Sequence, residues 1–504
     1  MNNIQIQEVV DQIMQGPLVC FTVFVEYRNG TNEFYTFSTE EGQQRKRVMA
    51  RLDQASWEGH IMTKVIIKDE LMGTGKSTRM IEEINNSHPD QRYIVVVPFL
   101  AEAHRYAGTL SDPDSGDYQT PLRDDRGVVY TGTGCNASGR TFNHPQSGHR
   151  SKVEHIERLV ERGCDIVTTH AALKLFTPFT REAIKDAGFQ LVIDEELECL
   201  SQVNLKTLRK NILLDSGSVF VDDMGLLRWS ESSRYSPSDD EGDNVDTGLS
   251  WEMRIKSMCD NGSLVLVEDE MGGRNLFIWE YPLSFIKAFD KVTVLTYMFE
   301  GSLFSKYLET YGLDYEVHKG VQIPDNPFDL RFAAMHINVV DNSKMNKAGS
   351  SEFALSASSQ RKLTKDSAVS KDVSKNLHNF FNNSTYGKSN MGDRLWTCLK
   401  GSKKNFTGRG YTNRHIACNT KAVNDFSDTF QLAYVHNTFM QPEQFKFLKS
   451  RGEDFAPDLE KYALSEMLQW IYRSRVRDDK EINLYLPSSR MRGFLEDWMD
   501  GKVV

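Results

Sequence analysis

The 504-residue chain has no unbroken apolar run near the ~18 residues that a bilayer-spanning helix needs, and its start, Met1-Asn-Asn-Ile-Gln-Ile-Gln, has no basic segment leading into an apolar core. A cytoplasmic protein without a membrane partner is therefore expected, in host cytoplasm if the gene is phage-borne. Cysteine is sparse: seven, at 20, 135, 164, 199, 259, 398 and 418, an odd number with no Cys-x-x-Cys pair. That argues against a disulfide framework or zinc module and for a reducing compartment. Cationic excess is missing too, since the net charge is −10 and the pI about 5.7. This excludes a protein that coats nucleic acid over its whole surface, and it leaves room for a local basic track. No recognisable sequence-specific DNA-binding motif is present.

What is present is a globular composition, 39% hydrophobic and 26% charged, on a chain long enough for two or three domains of roughly 100–200 residues. Residues 1–60 read as a small accessory region whose strands Val19 to Arg28 and Glu33 to Ser38 meet at Asn29-Gly30, a hairpin signal. From Thr63, apolar strands (Val65 to Ile67, Tyr93 to Val97, Asp165 to Thr168, Gln190 to Ile193, Val292 to Leu295) alternate with helix-length segments at Ser77 to Asn86, Leu100 to Tyr106 and Lys152 to Arg162. Such alternation implies a parallel sheet wrapped by helices. An acidic, polar insertion lies near 229–250. A weaker second set comprises Leu395 to Leu399, His415 to Cys418, Gln431 to Val435 and Ile482 to Leu486, with a helix around Asp458 to Tyr472. The expectation is α/β, with one domain over 61–310, a linker at 311–345 and a second domain over 346–504. Residues 351–414 carry twelve Lys or Arg against four Asp or Glu, a local excess of +8 that is expected to give the second domain a nucleic-acid-binding stretch.

The segment Lys64 to Thr78 reads as a buried strand, a glycine turn and a helix start. Phosphate needs inward-pointing backbone N–H groups, a cation for the β/γ oxygens and a hydroxyl for magnesium. Gly73, Thr74 and Gly75 supply the turn, Lys76 the cation and Ser77 the hydroxyl, with Thr78 following; Glu70 stands where the fuller pattern has a further glycine. The partner is Phe189 to Leu197, an apolar strand ending in Asp194-Glu195. Asp194 would hold magnesium and Glu195 would polarise the attacking water, with Glu196 in support. ATP and Mg2+ are the ligands expected.

In order along the chain, further segments resemble the motifs of superfamily 2 helicases, and their general look is similar to small helicases of tailed bacteriophages. The resemblance implies two tandem RecA-like P-loop NTPase domains. It also implies nucleic-acid contacts by Pro98 and Phe99 (motif Ia), by Thr168, Thr169 and His170, and by Asn419, Thr420 and Lys421 (motif V), with Asn424 and Asp425 facing the first domain. Thr296 and Tyr297, where motif III has Ser-Ala-Thr, would couple the ATP site to the track. Leu464 to Asp478, with Gln469 to Arg477 read as an arginine-rich helix, resembles motif VI, implying that Gln469 contacts nucleotide and that Arg473 or Arg477 reaches the γ-phosphate across the cleft. Motif IV would be Arg394 to Lys400.

The expected function is an ATP-dependent DNA helicase or translocase in phage replication, recombination or repair. Its track would be single-stranded or forked DNA, with RNA the other candidate, and other replication or recombination proteins its further partners. A packaging ATPase of the terminase kind and a non-motor ATP-switched DNA-binding protein are the rival readings.

Overall fold

The computed structural model describes residues 63–98, 102–103, 106, 140–145, 151–222, 225–230, 250–267, 276–320, 336–386, 389–418 and 426–502. It adds the backbone alone at 20–26, 32–38 and 133–135, and for residues 207–208, 384 and 453 within those spans it likewise gives only backbone. Strands Cys20–Glu26 and Asn32–Ser38 pair antiparallel as a two-stranded sheet. Most of the region 1–60, the acidic insertion over 231–249, and Phe99, Asn419, Thr420, Lys421, Asn424 and Asp425 lie outside the described residues.

The first domain is built on an eight-stranded sheet in the spatial order Tyr315–Lys319, Lys64–Asp69, Lys291–Thr296, Phe189–Asp194, Arg92–Val97, Asp165–Thr169, Thr141–Asn143, Thr133–Cys135, parallel except for the last pair. Residues two apart fall on one face of a strand, and the core divides accordingly. Val65, Ile67, Ile94, Val96, Leu191 and Ile193 pack on one side, and Tyr93, Val95, Val97 and Val192 on the other. Because the strands are parallel, their carboxyl ends share one edge. Asp69, Val97, Thr169, Asp194 and Thr296 all end there, each followed by a segment that carries a predicted site residue.

The second domain has a four-stranded parallel sheet, Ile337–Val339, Ile482–Tyr485, Gln431–Tyr434, Arg394–Thr397. Leu395, Leu432, Tyr434 and Leu484 face helices Leu459–Ile471 and Ser489–Met499. Trp396, Ala433, Val435 and Tyr485 face helix Ala368–Asn382. The molecule is thus mixed α/β with two mostly parallel sheets. Among the described residues no helix is long and apolar enough to cross a membrane.

Three expectations need correction. Residues 311–345 are not a plain linker: Tyr315–Lys319 is the edge strand of the first sheet and Ile337–Val339 belongs to the second. His415 to Cys418 is not a strand. It makes an isolated bridge, Trp396 to His415, because the edge strand beside it is only four residues long. The arginines after Gln469 do not ride on a helix, which ends at Ile471 where the Ser474 hydroxyl donates to the Ile471 carbonyl (2.7 Å). Arg475–Asp478 then forms a 3-10 turn.

The two domains share more than a cleft. Helix Pro442–Arg451, from the second half of the sequence, buries Phe447 and Leu448, with Met440 just before it, in the core of the first domain. The Gln444 amide donates to the Leu200 carbonyl (2.8 Å), and Arg451 lies 3.8 Å from the fully buried Glu280. Nearer the cleft, Leu71 and Met298 of the first domain pack into the helix layer of the second.

Candidate functional site

The turn at Gly73, Thr74 and Gly75 is shaped by backbone that only glycine adopts without strain. Gly73 has φ +87° and Gly75 φ +83°. A Cβ on Gly73 would also meet Arg477 Cγ at 2.9 Å, so the second domain closes directly on the turn. Gly75 caps helix Lys76–Asn85. The Lys76 ammonium is folded back onto its own loop, donating to the carbonyls of Glu70 and Leu71 (3.0 Å to the latter). Burial pushes it down to about 8, opposed by the charges of Glu70, Asp194, Asp69 and Glu195.

Glu70, the departure from the glycine pattern, is buried and acts as a clamp. Its carboxylate accepts from the Thr74 hydroxyl (3.0 Å) and pairs with the Arg79 guanidinium, which also donates to the Thr74 carbonyl. Thr74 therefore points back into the loop. Thr78 is exposed on the helix and does not line the cleft.

Across the sheet edge, the Ser77 hydroxyl donates to Asp194 Oδ1 (3.2 Å), and the Tyr106 hydroxyl donates to Asp194 Oδ2 (3.0 Å). The Ser77 and Asp194 oxygens suit a hard divalent cation such as magnesium. Glu195 sits at φ +68°, a left-handed conformation that costs a non-glycine residue about 1–3 kcal/mol, pinned by its N–H donating to the Leu295 carbonyl (3.0 Å). Glu196, also on the cleft wall, accepts from the Phe304 N–H (2.8 Å) at a helix start.

A cleft between the domains is lined on one side by Gly73, Gly75, Lys76, Ser77, Asp194 and Glu195, and on the other by Gln469, Arg473 and Arg477. Pro98, Thr296 and Tyr297 also line it, as do Glu102 and Tyr472, which sequence reasoning did not single out. Burial lowers the affinity of the Arg473 guanidinium for its proton, and Glu195 is the first of the charges opposing this. Arg473 Nη1 is buried and has no hydrogen-bond partner within the described chain, a donor suited to an incoming anion. Arg477 is exposed and packs over Gly73.

Tyr297 touches the second domain twice, accepting at its hydroxyl from Trp498 Nε1 (2.7 Å) and at its carbonyl from the Ser465 hydroxyl (3.4 Å). The turn it opens is held by Asp69, whose carboxylate accepts from the N–H groups of Met298 (2.7 Å) and Phe299 (3.1 Å). Asp69 carries no motif signal, and nothing in the sequence marks its partners more than two hundred positions away.

The residues expected to contact nucleic acid fare differently. Thr168 is fully buried between two neighbouring strands and cannot meet a phosphate; the strand's alternation turns its side chain into the core. His170 spends Nε2 on the Asp194 carbonyl (3.3 Å), and Thr169 is half-buried at the strand end.

With this geometry in view, residues 332–499 match the family model described as the YonV C-terminal Rossmann-like domain. The second domain is Rossmann-like. The chain is also 26% identical over 452 residues to the SPbeta prophage-derived uncharacterized protein YonV of Bacillus subtilis (strain 168), an alignment covering 88% of this chain and all of the relative. The similarity therefore spans both domains.

Proposed function

We propose that the chain is an ATP-driven nucleic-acid motor, a helicase or translocase that hydrolyses ATP in the cleft between its two α/β domains. The observation that carries the reading is the composition of that cleft: Lys76, Ser77, Asp194 and Glu195 from one sheet edge face Gln469, Arg473 and Arg477 from the other domain. A site that needed only to hold a nucleotide could be completed within one domain. Arginines offered across a domain boundary suit a reaction whose developing phosphoryl charge is met only on closure.

In this reading Lys76 exchanges its two loop carbonyls for the β/γ phosphate oxygens. Ser77 and Asp194 hold magnesium, which when bound offsets phosphate charge. Glu195 orients water for attack on the γ-phosphorus, and Arg473 or Arg477 stabilises the charge as the bond to ADP breaks. Tyr297, fixed by Asp69 and bonded to Trp498, carries the change to the second domain. Phosphate-backbone contacts by a motor of this kind would be independent of base sequence.

The test is ATP turnover measured in parallel with single-stranded DNA, duplex DNA and RNA. Many-fold stimulation by one of them is expected, together with a loss of about a hundredfold or more in Lys76→Ala, the scale of removing one charge-stabilising group. A Lys76→Ala protein turning over at the wild-type rate would sink the reading. Metal-dependent cleavage of plasmid DNA would instead favour a packaging-type enzyme. One observation favours an ATP-switched binding protein as second reading: helix Pro442–Arg451 is rooted in the first domain's core and limits how far the domains can part. Tight ATP binding with negligible turnover would decide for it.

A further inference from the structure

Six of the twelve basic residues between 351 and 414 are gathered on one surface, while Arg394 is buried. The segment Lys400–Asn405 is wedged between helices Ala357–Lys362 and Ala368–Asn382. The Ser402 hydroxyl donates to the Gln360 carbonyl (3.1 Å), the Asn405 amide to Leu363 (2.9 Å), and the Ser374 hydroxyl to Asn405 (3.5 Å). These bonds bring Arg361, Lys362, Lys371, Lys375, Lys400 and Lys404, all exposed, onto adjoining elements. Lys371 and Lys375 are four apart and share a helix face. Asp366 offsets one of them, pairing with Lys371 at 3.6 Å.

The position of this surface matters. Helix Ala368–Asn382 covers the face of the second sheet that carries Trp396, Ala433 and Tyr485. Leu71 and Met298 of the first domain join the opposite face. The lysines therefore lie across the second sheet from the nucleotide cleft. On the described parts of these elements Val369 is the one exposed large apolar side chain. A protein partner would call for aromatic or aliphatic anchors in a buried patch centre. Spaced lysines without such anchors, on a chain of net charge −10, suit a linear array of phosphates.

From this placement we propose that the lysine-bearing face of the second domain is a separate nucleic-acid contact, gripping the phosphate backbone without base selection and outside the ATP cleft. It rests on the motor reading for its choice of partner but not for its geometry. Such a contact would keep the protein on its track while the cleft opens.

The experiment is binding of a fluorescent 30-nucleotide DNA, single-stranded and duplex, to the full chain and to the triple variant Lys375→Gln, Lys400→Gln, Lys404→Gln across a range of salt. Each lost phosphate contact should make the slope of log K against log[salt] shallower by about 0.7–0.9, so a change of about 2–3 in its magnitude is expected, with ATP turnover in the absence of DNA and the melting temperature unchanged. An unaltered slope, or wild-type protein that binds no DNA, would overturn the surface while leaving the cleft to be judged on Lys76→Ala turnover. Loss of binding to an acidic protein partner with the DNA slope intact would overturn it in favour of a protein contact.

Discussion

At Glu70 a carboxylate stands where a fuller phosphate loop has glycine, and its bonds to Arg79 and Thr74 brace the turn from below. Restoring the common pattern with Glu70→Gly should weaken nucleotide binding rather than improve it, because Arg79 loses its carboxylate partner and the Thr74 hydroxyl one of its two acceptors; isothermal titration with a non-hydrolysable ATP analogue reads this directly. Gly73→Ala should be worse for turnover than for stability. The strained φ costs about 1–3 kcal/mol, while the new Cβ displaces Arg477 from the turn. Lys76 gives a pH signature. Its ammonium holds at about 8 when folded against an ordinary 10.5, so between those values the unfolded chain binds the extra proton and stability rises with pH. Phosphate affinity should move the other way, weakening above pH 8. Analogue binding at pH 8.5 should then take up a proton, seen as a dependence of calorimetric heat on the buffer's ionisation enthalpy that is absent at pH 6.5. Equal heats in both buffers at pH 8.5 would count against it.

Among the elements, the first sheet was largely readable from the sequence because its strands are buried on both faces. Runs such as Val65-Ile66-Ile67 and Tyr93 to Val97 are near-continuously apolar and bounded by turns. The edge strand Tyr315–Lys319 escaped notice for the converse reason: its residues are half-buried or exposed, and Glu, His and Lys occupy three of its positions. The glycine turn before helix Lys76–Asn85 and the turn at Asp194-Glu195 were legible as local structure because one short segment supplies each. Asp69, Tyr106 and the pairing of Tyr297 with Trp498 were not, since each joins positions far apart in sequence. Asp69 is the element that ties the loop strand to the turn at Met298 and Phe299. Asp69→Ala leaves two backbone donors without their acceptor, which should cost about 1–3 kcal/mol of stability. It should also lower kcat more than it raises the KM for ATP, because the turn bearing Tyr297 slackens while Lys76 and Ser77 remain. Urea melts with steady-state kinetics check both halves, and a change confined to KM would contradict the assignment.

Over the whole molecule, helix Pro442–Arg451 joins two domains that the sequence presents as successive. Its apolar residues are few and its charges many, so its pattern gave no sign that Phe447 and Leu448 complete another domain's core. Phe447→Ala should cost about 3–5 kcal/mol. Because the helix fastens both domains, the wild-type protein should unfold in one calorimetric transition, with Phe447→Ala splitting it in two; separate transitions already present in the wild type would refute the fastening.

That helix also separates kinship from mechanics. The stretch matched by the family model, 332–499, carries all four strands of the second sheet, yet cut out and produced alone it would leave Phe447 and Leu448 with no berth. The remainder, residues 1–331, would keep an open trench where Phe447 and Leu448 belong. Each piece should clump by itself and find the other when the two are made in the same cell.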